Sequence, residues 1–299
     1  MDSAQIPGTS FCKINTTVAP GIPGHFFYFM KPFSFCLIVF LCVLTPSISA
    51  QINYGNNPAA GKYLTTRGIK LYYETYGRGE PLLMIHGNGG SISGFSNQIP
   101  FFAQKYKVIA VDSRAQGKSA DACDSLSFEM MADDFNALLD SMHISSCRVL
   151  GWSDGGINAL LMAIRHPQKV KMLASTGANL IPDSTVFVPH AYREWMNDYL
   201  RSGKETQTPK LKNQRKLMAL DLFQPHITTA QLQTIKCPSL IIGGDHDLIV
   251  PSHTLEIANA IPGAFCWIIP DSGHATLIQH KKQFNEVVNA FFNRQIHGK

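Results

Sequence analysis

Val149-Leu150-Gly151-Trp152-Ser153-Asp154-Gly155-Gly156-Ile157-Asn158-Ala159-Leu160 is the stretch from which the architecture can be read. An apolar run of strand character, Cys147 to Leu150, ends in Gly-Trp-Ser-Asp-Gly-Gly and passes into a helical pattern, so Ser153 falls where a strand turns sharply into a helix. A G-x-S-x-G motif carries chemical meaning only in that setting, where the turn lifts the hydroxyl above the sheet edge. A serine held in such a turn leaves no room for side chains two residues to either side, and Gly151 and Gly155 supply that room. By itself the motif fits an ordinary glycine-rich turn equally well, and the surrounding chain decides between the two.

On either side of this stretch, strand and helix patterns alternate. Leu64 to Thr66 and Lys70 to Tyr76 alternate in polarity around Arg67-Gly68, which predicts a hairpin of edge strands. Short continuous apolar runs at Pro81 to His86, Lys107 to Asp112, Val170 to Ser175, Pro238 to Ile242 and Phe265 to Ile269 predict strands covered on both faces. Helical spacing appears at Gln98 to Lys105, at residues 127–142 and at Phe284 to Phe292. Alternation of this kind implies an α/β fold: a mostly parallel twisted sheet with helices on both faces. One interval breaks it. Residues 181–236 contain helical patterns (Tyr192 to Leu200, Lys212 to Leu222, Thr229 to Ile235) and a polar break at Ser202 to Pro209. A crossover of that length is excessive, and its position predicts a short helical lid over the carboxyl edge of the sheet.

The first fifty residues differ in kind from residues 51–299, which form the expected single domain. Residues 33–44 are an apolar core, preceded by Lys31 and followed by small residues up to Ala50, the pattern of a signal peptide cut after Ala50 or Ser49. Residues 1–29 are then an extension, or lie ahead of a true start at Met30. The mature protein is expected to be secreted or periplasmic, without stable membrane association; the alternative is an uncleaved anchor formed by residues 33–44. Cys123, Cys147, Cys237 and Cys266 lie in the mature domain without metal-ligand spacing. Cys147, Cys237 and Cys266 begin apolar runs and are expected to be buried free thiols. The net charge of +5, from 26 basic and 21 acidic residues scattered without a block, does not describe a nucleic-acid surface.

Three further signals fall on loops that follow predicted strands. His86-Gly87-Asn88-Gly89-Gly90 is a glycine-rich turn with backbone N–H groups free to face a ligand. It is not a dinucleotide loop, since Ile92 occupies the third glycine position. Gly117-Lys118-Ser119 is not a phosphate loop, since Asp112 stands where the first glycine belongs. Asp247, in Gly244-Asp245-His246-Asp247, follows one strand and His274 follows the last. The chain order is therefore Ser153, Asp247, His274, each at the edge where open α/β sheets keep their sites. Alone, Asp247 reads as a turn former and His274 as a loop residue; at these positions together they form a catalytic constellation. Asp245, His246 and His253 can mimic a metal cluster, but no metal or cofactor is expected.

From about Tyr63 to its end the chain resembles the α/β-hydrolase superfamily. The resemblance rests on His86-Gly87-Asn88-Gly89-Gly90, Asp112 to Ser119, the serine turn, Gly244-Asp245-His246-Asp247 with Pro251, and Gly273-His274. Ala115 departs from it, standing where relatives usually carry glycine. Gly151-Trp152-Ser153-Asp154-Gly155-Gly156-Ile157, followed by Gly177-Ala178-Asn179, is similar to the valacyclovir hydrolase (biphenyl hydrolase-like) family. The resemblance implies cleavage of a small-molecule carboxylic ester through an acyl-enzyme, with Ser153 as nucleophile, His274 as general base and Asp247 orienting it. It assigns the oxyanion to the backbone N–H groups of Asn88 and Asp154. It also implies α-amino acid esters as substrates, with the Asp154 carboxylate binding their ammonium group; otherwise Asp154 only complements the helix dipole. Neutral esters, lactones, carbon–carbon bonds and a non-turnover ligand receptor remain alternatives on the same fold.

Overall fold

The computed structural model describes residues 52–294, which fall within one compact unit. The expected leader lies outside the described residues. Eight strands, β1 (Gly61–Thr66), β2 (Ile69–Tyr76), β3 (Glu80–Ile85), β4 (Tyr106–Val111), β5 (Cys147–Trp152), β6 (Val170–Thr176), β7 (Ser239–Gly244) and β8 (Phe265–Ile269), form one sheet. Their order is β1-β2-β4-β3-β5-β6-β7-β8. The β1–β2 hairpin and the β2–β4 pair are antiparallel, and every later pair is parallel. The helices are α1 (Ile99–Phe102), α2 (Phe128–Ser141), α3 (Asp154–Arg165), α4 (Pro189–Ser202), α5 (Pro209–Phe223), α6 (Thr229–Leu232), α7 (Pro251–Ala260), α8 (Thr276–Gln279) and α9 (Lys281–Phe292).

The period-2 alternation of strand side chains divides the core in two. Leu83, Ile85, Ile109, Val111, Val149, Leu173 and Ile241 point to one face and pack with Phe128, Met131 and Phe135 of α2 and Leu160 and Leu161 of α3. Their neighbours Leu82, Met84, Val108, Ala110, Leu150, Met172 and Ile242 point to the other, against Phe102 of α1 and Phe284, Val288 and Phe292 of α9. Burying both faces explains why β3 to β7 read as continuous apolar runs rather than alternating ones.

Several expectations are corrected. β2 pairs with β1 on one side and β4 on the other, so only β1 of the hairpin is an edge strand. Cys237 is half-buried rather than buried. Phe265 to Ile269 is not covered on both faces: β8 lies at the edge of the sheet, Phe265 and Cys266 are exposed, and so the Cys266 thiol is not buried. A strand with a neighbour on one side only has fewer elements to cover it, which an apolar run cannot reveal. The helix anticipated over Gln98 to Lys105 is only the four residues of α1; residues 103–105 close instead in turns, with Gln104 N–H donating to the Phe101 carbonyl and Lys105 N–H to that of Phe102, before β4 begins.

The lid consists of α4, α5 and α6, with its break at residues 203–208. Thr208 caps α5 by accepting from Leu211 N–H, and Pro209 occupies its first turn. Side chains seat α5 on the body: Asn213 Nδ2 donates to the Ala115 carbonyl at 2.8 Å, and Lys216 pairs with Asp121 at 2.9 Å. Asp121 in turn meets the buried Arg114, which also binds Asp134 of α2.

Candidate active site

Ser153 sits between β5 and α3 with φ 56° and ψ −119°, a conformation rarely adopted by residues with a side chain. Such strain persists only where neighbours enforce it. Here β5 hands the chain to α3 in one residue, with Ser153 N–H donating to the Thr176 carbonyl at 2.8 Å and Gly156 N–H returning to the Ser153 carbonyl at 2.7 Å. The flanking glycines are close-approach positions. A Cβ on Gly155 would lie 1.8 Å from the Ile85 carbonyl oxygen, and one on Gly151 would lie 1.9 Å from that of Gly155.

The structure brings Ser153, His274 and Asp247 together. His274 Nε2 lies 2.9 Å from Ser153 Oγ, and His274 Nδ1 lies 2.6 Å from Asp247 Oδ1. The Asp247 carboxylate is fully buried and also accepts from Ile249 N–H at Oδ1 (3.1 Å) and Gly244 N–H at Oδ2 (3.2 Å). Three donors therefore fix an acceptor-only carboxylate, and that carboxylate fixes the tautomer with the proton on Nδ1. Nε2 then faces the serine hydroxyl with a lone pair. Trp152, beside the serine, donates from Nε1 to the His274 carbonyl at 3.0 Å and so holds the histidine loop from the serine side.

Asn88 follows β3, on a loop shaped by His86. Ser113 N–H donates to His86 Nε2 at 3.0 Å, so the ring proton is on Nδ1, which donates to the Gly87 carbonyl at 2.7 Å. Burial lowers the His86 pKa, which keeps this ring neutral. Among the described residues no protein acceptor pairs with the backbone N–H of Asn88 or of Asp154, and the latter opens α3, where the helix dipole is positive. The Asn88 side chain ties this loop to the lid, donating to the Leu217 carbonyl at 3.1 Å and to Asp221 Oδ1 at 3.0 Å.

Asp154 is nearly fully buried, and its carboxyl lies within hydrogen-bonding reach of Asp221 on α5. Sequence reasoning missed Asp221. Its one signal was an acid in the last turn of a helix, where the dipole disfavours it, among the apolar residues Leu220, Leu222 and Phe223. Of the residues that mimic a metal cluster, Asp245 and His246 bond to each other, and His253 bonds to Glu256 and to Leu180 N–H.

Sheet order, the strained serine turn and the loops that bring a histidine and a carboxylate to it are those of the α/β-hydrolase fold. Residues 80–214 match the family described as alpha/beta hydrolase fold. Among curated proteins the chain is similar to serine hydrolase BPHL of Mus musculus, 25% identical over 274 residues, covering 84% of this chain and 91% of the relative. It is similar as well to 2-hydroxymuconate semialdehyde hydrolase of Pseudomonas sp. (strain CF600), 25% identical over 268 residues and covering 79% and 95%. Among solved structures, the enol-lactonase from Burkholderia xenovorans LB400 superposes with a TM-score of 0.65 at 23% identity, covering 78% of this chain and all of that one.

Proposed function

We propose that this protein is a serine hydrolase that cleaves small carboxylic esters through an acyl-enzyme. The observation that carries this reading is the unbroken relay from Asp247 through His274 to Ser153, at 2.6 Å and 2.9 Å. His274 Nε2 takes the hydroxyl proton as Ser153 Oγ attacks the ester carbonyl. The imidazolium so formed is stabilised by the Asp247 carboxylate. The negative charge that develops on the carbonyl oxygen meets the backbone N–H groups of Asn88 and Asp154. Collapse of the tetrahedral species passes the His274 proton to the leaving alcohol, and water then cleaves the acyl-enzyme by the same route.

Within that reading the preferred acyl group is an α-amino acid. The buried Asp154 carboxylate beside the nucleophile favours it, since an ammonium group would compensate a charge otherwise costly to desolvate. Neutral esters, lactones, carbon–carbon bonds and a non-turnover receptor are the competing readings. The leader read at residues 33–50 would place this activity outside the cytoplasm. The test is a panel of nitrophenyl esters, with free α-amino or N-blocked acyl groups, on wild type, Ser153→Ala and Asp154→Asn. Steady turnover is expected in wild type and is expected to be lost in Ser153→Ala; retention there rejects the mechanism. Asp154→Asn is expected to lose at least tenfold more on amino esters than on blocked ones. Equal losses reject the amine-binding role.

A further inference from the structure

Asp154 and Asp221 come from different layers of the molecule. Asp154 is in the first turn of α3, directly after the nucleophile, while Asp221 is in the last turn of the lid helix α5. Asp154 is 4% exposed, and its Oδ2 is buried without a hydrogen-bond donor among the described residues. Asp221 receives one bond, from Asn88 Nδ2 at 3.0 Å. The groups acting on the pair are the two carboxyls themselves, the Asn88 amide and, across the site, the His274 ring. Two carboxylates thus meet in a desolvated place with no lysine or arginine among the groups acting on them. A protein that only needed to seat its lid would have no reason to bury an acid against another acid, because like charges disfavour each other and each loses its hydration. Burial and the neighbouring acid hold Asp154 well above the usual carboxylate range, and burial lifts Asp221 to about 6. The empty pair therefore keeps a proton between its two groups at mildly acidic pH.

We propose that Asp154 and Asp221 together form a two-carboxylate receptor for the ammonium group on the acyl side of the substrate, with one carboxylate brought by the nucleophile's helix and the other by the lid. This rests on the serine-hydrolase reading and deepens it, making the lid a determinant of specificity. An arriving R–NH3+ supplies N–H donors to the oxygens that the shared proton had bridged, and that proton leaves to water. No covalent bond forms or breaks. Affinity for the cation then rises with pH while the pair still holds its proton, and levels off once that proton is gone. The ammonium also ties α5 to α3, so the correct acyl group itself helps to hold the lid closed over Ser153.

Calorimetry on Ser153→Ala, with and without Asp221→Asn, tests this without turnover, using valinamide and phenylalaninamide against their N-acetyl forms from pH 5 to 7. The free amines are expected to bind at least about tenfold more tightly than the blocked forms at pH 7 and to lose most of that preference by pH 5. Adding Asp221→Asn is expected to cut the preference about tenfold and flatten its pH dependence, with thermal unfolding checking that each variant is folded. If Asp221→Asn retains the full preference, Asp154 acts alone and the receptor is rejected. Equal weakening of free and blocked ligands leaves Asp221 as a lid latch and rejects it too. A pH dependence that survives Asp221→Asn unchanged overturns the shared proton. A folded protein with no preference for free amines overturns the whole proposal. Ester turnover, measured separately on the Ser153-containing protein, fails or succeeds independently of these results.

Discussion

Replacing Asp247 by asparagine removes one charge and no volume, so its effect can be worked out from donors and acceptors alone. Asp247 Oδ1 accepts from His274 Nδ1 and Ile249 N–H, and Oδ2 accepts from Gly244 N–H. An asparagine presents one oxygen and one NH2 to these three donors. If its oxygen takes the Oδ1 place, the NH2 confronts Gly244 N–H; the histidine tautomer survives, but the imidazolium has no counter-charge. If the amide is reversed, the NH2 confronts Ile249 N–H and Nδ1 must become an acceptor. The ring proton then moves to Nε2 and the base that faces Ser153 is lost. Either way one buried backbone N–H loses its partner, which costs about 1–3 kcal/mol of stability. Activity is expected to fall by on the order of 10⁴, about 5.5 kcal/mol of transition-state stabilisation at 1.36 kcal/mol per decade. Steady-state hydrolysis of a nitrophenyl ester at pH 7 measures the second quantity, and urea unfolding the first. Activity within tenfold of wild type, in a variant destabilised as expected, would refute the tautomer argument and with it the base role of His274.

Two further outcomes follow from distances in the same region. Gly155→Ala would place a methyl group 1.8 Å from the Ile85 carbonyl oxygen, so α3 must retreat from β3 by more than an ångström. Loss of soluble protein, or a fall of at least about 3 kcal/mol in urea unfolding, is expected; Gly89→Ala, with no atom within 4 Å, should lose only about 1–2 kcal/mol from its positive φ. Equal effects at the two sites would contradict the close-approach reading. Trp152→Phe keeps an aromatic but smaller side chain and removes the 3.0 Å bond to the His274 carbonyl. A loss of about 1 kcal/mol in stability and a severalfold drop in kcat are expected, and an unchanged kcat would show that the histidine loop holds its place without it.

Ala115 shows how far a departure from a family pattern can be judged in advance. The resemblance implied glycine there, and the structure gives Ala115 φ 66°, the left-handed region that favours glycine. The affected turn lies between Asp112, which accepts from Ile92 N–H and Lys118 N–H, and the lid residue Asn213, which donates to the Ala115 carbonyl. The departure therefore falls on a supporting turn, away from the serine relay.

Much of the architecture was legible because it is local. Continuous apolar runs mark strands buried on both faces, and a periodic stripe such as Phe128, Met131, Phe135 and Leu138 marks a helix with one buried side. The glycines around Ser153 disclose the turn because only a residue without Cβ fits against the Ile85 and Gly155 carbonyls. The order of Ser153, Asp247 and His274, each just past a strand, sufficed to bring them to one edge, since parallel strands deliver their carboxyl ends to the same side of the sheet. What only the tertiary structure decided depends on how separate elements settle against one another. The exposure of Cys266 follows from the place of β8 at the sheet edge, which its own residues do not encode. The bond from Trp152 to the His274 carbonyl is likewise a product of the end of β5 meeting the loop that follows β8. The encounter of Asp154 with Asp221 depends on which side of α5 the lid turns toward α3; that choice is made by side-chain packing and by the Asn88, Asn213 and Lys216 tethers, over distances in sequence that no local pattern spans.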